Sequence, residues 1–502
     1  MTIKMIVVLG ALAAGAVSWA AWAESGEAAP IDIGSRRELM VDDYLIAEMT
    51  GGAGLRMHHP VPREVVMVHD APWEGSGCGY NTVFQDGDIY RMYYKAWHLD
   101  PQQGKLNIPH DTFGAYAEST DGIHWVKPAL GLFEFNGSKE NNIVWMGKKG
   151  SHDFTPFKDA NPDCQPGEEY KAVAYGPDPR GAYAFKSADG IHWSFLQEQP
   201  IITEGAFDTQ NLAFWDSVRR EYRACIRDFR DGKRGIRTAT SKDFRTWTKP
   251  VWLAYPGAPE EQLYTNQIKP YYRAPHIFVG FPTRYTERGW SPSMEALPDL
   301  EHRRIRSSCS DRYGTAVTDG LLMTSRDGET FHRWGEAFLR PGLRLKDNWA
   351  YGDNYIGWHV VETPSDIEPG VNELSLYATE SYWTGNASKL RRFTLRIDGF
   401  VSVHAPLSGG EFVTKPLVFG GDQLVLNFST SAAGSIRIEI QDADGTRIEG
   451  FTLDDAPEIF GDALDRVAPW KQGQDLAGLA GKPVRLRFVL NDADLYSFQF
   501  RE

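Results

Sequence analysis

The chain has 502 residues and a net charge of −14, with 42% hydrophobic and 13% aromatic residues. A length of that order is shared among roughly two to three domains, and an acidic chain with no run of Lys or Arg excludes a nucleic-acid backbone as its partner. The 49 glycines and 29 prolines describe a folded, turn-rich protein and exclude a disordered one.

At the start, Lys4 precedes an apolar run from Met5 to Val17, and Ala21-Trp22-Ala23 supplies a small-x-small cleavage signal. This reads as a signal peptide over 1–23, with a mature chain beginning near Glu24. The run is too short and too rich in Gly and Ala to span a bilayer, and no later segment reaches about 18 apolar residues. The expected mature protein is secreted or periplasmic, with no membrane span. Arg37 to Ile46 reads as an opening strand and turn that completes the last sheet of a closed ring.

A repeated phrase then organises the chain. Ser119-Thr120-Asp121-Gly122-Ile123-His124-Trp125 recurs as Ser187-Ala188-Asp189-Gly190-Ile191-His192-Trp193. Looser copies run from Ser241 to Trp247 and from Ser325 to Phe331, and a degraded one is Ile397-Asp398-Gly399-Phe400. Each follows a β-rich run, so the Asp-Gly reads as a turn that tolerates positive φ, with the following aromatic packed between neighbouring sheets. Five sheet units followed by a different tail give an all-β chain, a five-bladed β-propeller over 31–405 and a β-sandwich over 406–502. The inner-strand pairs are read as Tyr80 to Trp97, Phe157 to Tyr175, Phe207 to Arg227, Tyr264 to Tyr285 and Tyr355 to Tyr382, with Thr286 to Tyr313 as a charged loop. In the tail, Ile436, Ile438 and Ile440 alternate with Arg437 and Glu439, as half-buried antiparallel strands do.

In a propeller the start of each innermost strand and the end of the next share one mouth. That rule collects Glu74, Asn81, Asp159, Asp208, Asn211, Asn266, Asp353 and Asn354 from strand starts. From strand ends it collects His98, Arg227, Asp228, Arg230, Arg284, Glu380, Tyr382 and Trp383. Rings stack on sugar faces while Arg, Asn and Asp orient hydroxyls, so the expected partner is a carbohydrate. Glycoside hydrolysis needs two carboxyl groups in different protonation states; Asp159, Asp208, Glu380 and Glu74 are the candidates. Each also has a structural alternative: Asp159 as a turn cap, Asp208 as a loop anchor through Thr209, Glu380 as an ion pair with Arg391 or Arg392. His58-His59 and His152-Asp153 lack the ligand spacing of a zinc site, and no nucleophile elbow or phosphate-cradling glycine loop is present, so neither metal nor cofactor is expected. The four cysteines show neither metal spacing nor a disulfide framework, one bridge being open. No oligomeric state follows from the sequence.

Phe157-Lys158-Asp159, the Ser-x-Asp-Gly-x-x-Trp repeats and the C-terminal sandwich together resemble the five-bladed propeller glycosidases of glycoside hydrolase families 32 and 43. The likeness is nearer to exported bacterial proteins with a family 32 N-terminal-like domain, and it covers nearly the whole mature chain. It implies that Asp159 matches the stabilising Asp of the Arg-Asp-Pro motif and that Asp208 falls where family 32 places its acid, a Glu. Two motifs depart: Gly79-Tyr80-Asn81-Thr82 stands where the family has Trp-Met-Asn-Asp-Pro-Asn-Gly with its nucleophile, and the Glu-Cys motif is absent. The expectation is an exported glycoside hydrolase with Asp208 as general acid; a non-hydrolytic glycan-binding propeller and a glycoside phosphorylase using Arg227, Arg230 and Arg284 are the alternatives. Mass spectrometry of the exported protein is expected to give a mature N-terminus near Glu24; an intact Met1 would reject cleavage.

Overall fold

The computed structural model describes residues 29–365, 367–473 and 475–502; the signal peptide read at 1–23 lies outside them. The described chain is predominantly β and divides into two compact units, one of 58–400 and one that joins the chain before residue 58 to 401–502.

In the 58–400 unit five four-stranded antiparallel sheets follow one another along the chain. The first holds Gly79–Asp86, Ile89–Ala96, Phe113–Ser119 and Ile143–Met146; the second Thr155–Lys158, Tyr170–Pro177, Arg180–Ser187 and Ser194–Phe195. The third holds Leu212–Asp216, Glu221–Arg230, Lys233–Ser241 and Val251–Trp252, and the fourth Lys269–Tyr271, Ala274–Gly280, Met323–Ser325 and His332–Arg333. The fifth holds Val361–Pro364, Asn372–Glu380 and Lys389–Leu395, and its outer place is taken by Val61–Val68 from the start of the unit. The opening strand expected in that place, within Arg37 to Ile46, instead supplies Glu38–Leu39 to the other unit, where it pairs with Val484–Arg501.

The repeated phrase forms the same hydrogen-bonded turn four times. The Asp121 carboxylate accepts from the Ile123 and His124 amides, each at 2.8 Å, while Ser119 Oγ accepts from the Gly122 amide at 2.9 Å. Asp189, Asp243 and Asp327 repeat this with their own Ser partners. Side chains thereby satisfy amides that a tight turn leaves without backbone partners. The residue after the Asp is left-handed, φ +73° at Gly122 and +78° at Gly190, and Phe244 adopts φ +63° at the equivalent place.

The turns also join neighbouring sheets. Gly122 O, in the first sheet, accepts from Tyr377 OH of the fifth at 2.5 Å; Gly190 O, in the second, accepts from Tyr93 OH of the first at 2.8 Å; Gly328 O, in the fourth, accepts from Arg223 of the third at 3.2 Å. Asp398, in the degraded copy, accepts from Tyr271 OH of the fourth sheet at 2.8 Å. Trp125 and Trp193 are half-buried and lie edge-on to Tyr377 and to Phe154.

The stretch 286–313, read as a loop, contains Pro292–Glu295, Leu300–Cys309 and the start of Asp311–Thr315 as helical segments. The second unit is one ten-stranded sheet by its hydrogen bonds, built on the long strands Gln423–Asp442 and Val484–Arg501. Ile436, Ile438 and Ile440 are buried with Phe412, Leu486 and Phe488 in its core, as their alternation predicted. All four cysteines are free.

Replacing Asp189 with Ala removes the acceptor of two turn amides, so the unfolding free energy should fall by about 1–3 kcal/mol. Asp88→Ala, at an exposed turn, should stay within about 0.5 kcal/mol; chemical denaturation of both variants checks the contrast.

Candidate functional site

The inner strands begin around a polar and aromatic mouth. Its floor is closed by Gln210, whose amide reaches Tyr80 O, Asn81 O and Thr82 Oγ1, and by Gln267, which donates to Gln210 Oε1 at 2.8 Å and to Ile356 O at 2.9 Å. Beneath them Trp358 is fully buried, donating Nε1 to Ile268 O while its amide bonds Asn81 O. Four sheets thus meet through two amides and one indole.

The wall above is tyrosine. Tyr80, Tyr264, Tyr351, Tyr355 and Trp383 form one buried cluster, with Trp97, Tyr313 and Tyr382 packed against it. Tyr264 and Tyr351 share a 2.8 Å hydrogen bond, and Tyr80 stacks toward Tyr355. Tyr80 carries φ +55°, a left-handed conformation costly for a non-glycine residue, which the surrounding sheet junction holds in place.

Asp208 stands in this mouth with its side chain 71% exposed, its oxygens 3.3 Å from His152 Nε2 and 4.0 Å from an Arg227 nitrogen. Lys95 lies against the same group: its Nζ is 4.4 Å from the Tyr80 ring centre, 4.7 Å from that of Trp97 and 3.5 Å from Tyr382 OH. Burial lowers the Lys95 ammonium to about 8 and the His152 imidazolium to about 4. Two further carboxyls are fully enclosed. Burial pushes Asp153 up to about 8 against hydrogen bonds from the Tyr175 amide and Asn211 Nδ2, which occupy both its oxygens. Burial likewise pushes Asp353 up to about 7; Oδ1 accepts from the Tyr382 amide at 2.9 Å and Oδ2 has no partner among the described residues.

The sequence-derived residues divide by place. Asp208, Asn211, Arg227, Asn354 and Trp383 lie at the mouth; Asn211 clamps the Phe207 and Thr209 carbonyls, and Asn354 donates to Thr318 O. Asn81 is buried on the first inner strand with neither amide atom partnered among the described residues, and Asn266 donates to Cys225 O and accepts from the Ile268 amide. Asp159 lies elsewhere. The second inner strand is Thr155–Lys158, so its beginning is His152-Asp153 and Asp159 follows its far end, held by Lys171 at 2.5 Å and Tyr222 OH at 2.6 Å. Glu74 is buried between Tyr94 OH at 2.5 Å and Lys127 at 2.6 Å, and Glu380 pairs with Arg391 at 2.5 Å. Asp228 pairs with Arg237, Arg284 makes a two-pronged pair with Asp319 and a further one with Glu261, and Arg230 stacks on Trp252.

Burial likewise falls elsewhere than expected. A general acid at Asp208 called for a carboxyl deep in the channel; Asp208 is exposed, and the enclosed carboxyls are Asp153 and Asp353. Sequence reasoning missed Lys95 and His152. Both were reachable by the same strand-end rule, Lys95 at the end of Ile89–Ala96 and His152 ahead of Thr155–Lys158. Among the described residues no group of three His, Cys, Asp or Glu side chains converges to hold a metal ion, and no helix is long and apolar enough to cross a membrane.

No protein-family model and no curated protein matches the chain. Solved structures do. A glycoside hydrolase aligns at 14% identity and TM-score 0.41, over 67% of this chain and 92% of its own. An N-acetylgalactosamine deacetylase from F. plautii, in complex with blood group B trisaccharide, aligns at 14% identity and TM-score 0.40, over 68% of this chain and 94% of its own. The Bombyx mori family 32 β-fructofuranosidase aligns at 9% identity and TM-score 0.38, over 89% of this chain and 94% of its own. Roles for this chain rest on its own side chains.

Because the folded Asp353 value, about 7, stands above the ordinary carboxyl value of roughly 4, its contribution to stability is complete below about pH 4 and is lost as pH rises through 7. Asp353→Asn keeps an acceptor for the Tyr382 amide without the titration. Melting curves should show the wild type losing stability relative to this variant between about pH 4 and 7, the gap levelling above; parallel curves would contradict the enclosed, proton-holding carboxyl.

Proposed function

We propose that the chain is an exported glycoside hydrolase, a five-bladed propeller with an accessory β-sandwich, that cleaves a complex glycan at the tyrosine-lined mouth. One observation carries this reading: an exposed carboxylic side chain, Asp208, set among His152, Arg227 and Lys95 inside a wall of aromatic rings. Rings of that kind stack on pyranose faces, and the cations and amides around them orient hydroxyls.

Glycosidic cleavage divides labour between two carboxyls. Asp208 takes the side facing the anomeric carbon. Asp353 takes the proton-donating role, because burial keeps a large share of it protonated up to about pH 7 and its Oδ2 is unpartnered among the described residues, whereas both oxygens of Asp153 already accept hydrogen bonds. Asp153 and Asn211 then act as positioning residues for the Asp208 loop. A phosphorylase is less well supported: Arg284 is committed to Asp319 and Glu261, and Arg230 to Trp252.

A panel of polysaccharides with product analysis supplies the substrate. On it, Asp208→Asn should lose roughly a hundredfold or more of kcat with every leaving group. Asp353→Asn should lose as much on a poor leaving group but little on an activated aryl glycoside, and the wild-type rate on the poor one should fall as pH rises through about 7. Near-wild-type turnover by Asp208→Asn would sink the assignment, and binding without any cleavage would favour the glycan-binding alternative.

A further inference from the structure

A second cavity lies across the Gln210–Gln267 floor from the mouth, against the end of Gly79–Asp86, the short strand Lys269–Tyr271 and the beginning of Val361–Pro364. It encloses about 480 Å³ between the first, fourth and fifth sheets and is lined by Phe84, Lys269, Tyr271, Tyr272, His359 and Glu362 among others. That volume is in the range of small-molecule sites. Gln267 lines this cavity from below while its amide closes the floor of the tyrosine mouth, so the floor separates the two sites.

Lys269 gives the cavity its chemistry. Its Nζ lies 2.8 Å from His359 Nδ1 and 3.3 Å from Nε2, and 5.7 Å from the Trp358 ring centre. Among the described residues no carboxylate lies within ion-pairing distance of it. Lys269 is half-buried; an ammonium withdrawn from water without a counter-ion is costly, and burial lowers it to about 7, so an arriving anion would supply the missing charge. The cavity's own acid is taken: Glu362 accepts from Tyr272 OH and from Asn372 Nδ2. His359, which is buried, keeps a left-handed φ of +78°, strain of the sort held at ligand clamps. The rest of the lining is mixed, the half-exposed Tyr272 ring, Gln85 and Asn372 standing beside apolar groups such as Phe281, Val279 and Val361.

We propose that this cavity is a separate ligand site for a small hydroxylated carboxylate, a sugar acid by size. The Lys269 ammonium pairs with the carboxylate, His359 backs the ammonium, and Tyr272 forms a platform for the ring. One ammonium with no arginine beside it suits a monoanion better than a phosphate, whose charge draws clustered donors.

The test is calorimetric titration of the full mature chain with glucuronate, galacturonate and gluconate, and with glucose as the neutral control. Binding of at least one sugar acid, at least tenfold tighter than glucose and weakened tenfold or more by Lys269→Met, is the expected result. An Arg227→Met arm locates the site, since the mouth is also cationic: loss of sugar-acid binding in that variant with retention in Lys269→Met overturns the proposal. So does equal binding of acid and neutral sugars, or no binding of any acid. Lys269→Met should melt no lower than wild type, because it removes a half-buried charge with no counter-ion among the described residues; if it unfolds, Lys269→Gln with the same readout replaces it.

Discussion

The structure depends on a carbonyl oxygen held out by a turn. In each Ser-x-Asp-Gly copy the side chains of Ser and Asp satisfy the turn's own amides, and the carbonyl after the Asp is left to face the preceding sheet, where Tyr377, Tyr93 or Arg223 donates to it. A sheet with one apolar face cannot stand alone, and here three junctions are fastened by a hydrogen bond to a turn carbonyl and a fourth by Tyr271 OH on the Asp398 carboxylate. Such a bond is worth only about 0.5–1.5 kcal/mol net, but an unmet partner in the same place costs more. The constraint is therefore geometric: it fixes the angle at which successive sheets meet, and that angle brings the inner strands together.

Convergence of those strands sets up the chemistry at both ends. Backbone groups at strand beginnings have no ladder partners, so polar side chains such as Gln210, Gln267 and Asn211 satisfy them. The remaining side chains have only each other to face. Enclosed among tyrosines, Asp153 and Asp353 are pushed toward the neutral form and Lys95 likewise, while Asp208 escapes to solvent. Across the floor from the mouth the same crowding isolates Lys269.

The architecture was legible wherever it is local. Ser-x-Asp-Gly states its turn outright because the contacts lie within four residues, and the isoleucine alternation at 436–440 states its buried face. Offsets were less legible. Phe157 reads as the entry to a strand that in fact begins at Thr155, and that small displacement exchanges one end of the sheet for the other: Asp159 for His152 and Asp153. Glu74, Glu380, Asp228 and Arg284 meet the strand-end rule, but the rule is blind to the partners that hold them: the pairing of Glu380 with Arg391 is legible as an alternative, whereas Lys127, Arg237 and Asp319 are not. The opening strand of the ring was misplaced for the same reason, since Arg37 to Ile46 and Val61–Val68 have similar apolar content and only the pairing distinguishes them.

Val61–Val68 closes the fifth sheet from a distance of more than three hundred residues, with Arg392 reaching Glu64 across a separation of 328 positions. During synthesis this strand leaves the ribosome long before its partner, Lys389–Leu395, has been made. It must wait as a bare edge, the kind of segment that recruits other chains. Its own sequence answers the hazard: Pro62 withholds an amide, and Arg63 and Glu64 place charge beside the apolar Val65-Val66-Met67 run. The residues that later complete the fifth sheet are thus the ones that keep the nascent chain from pairing with strangers.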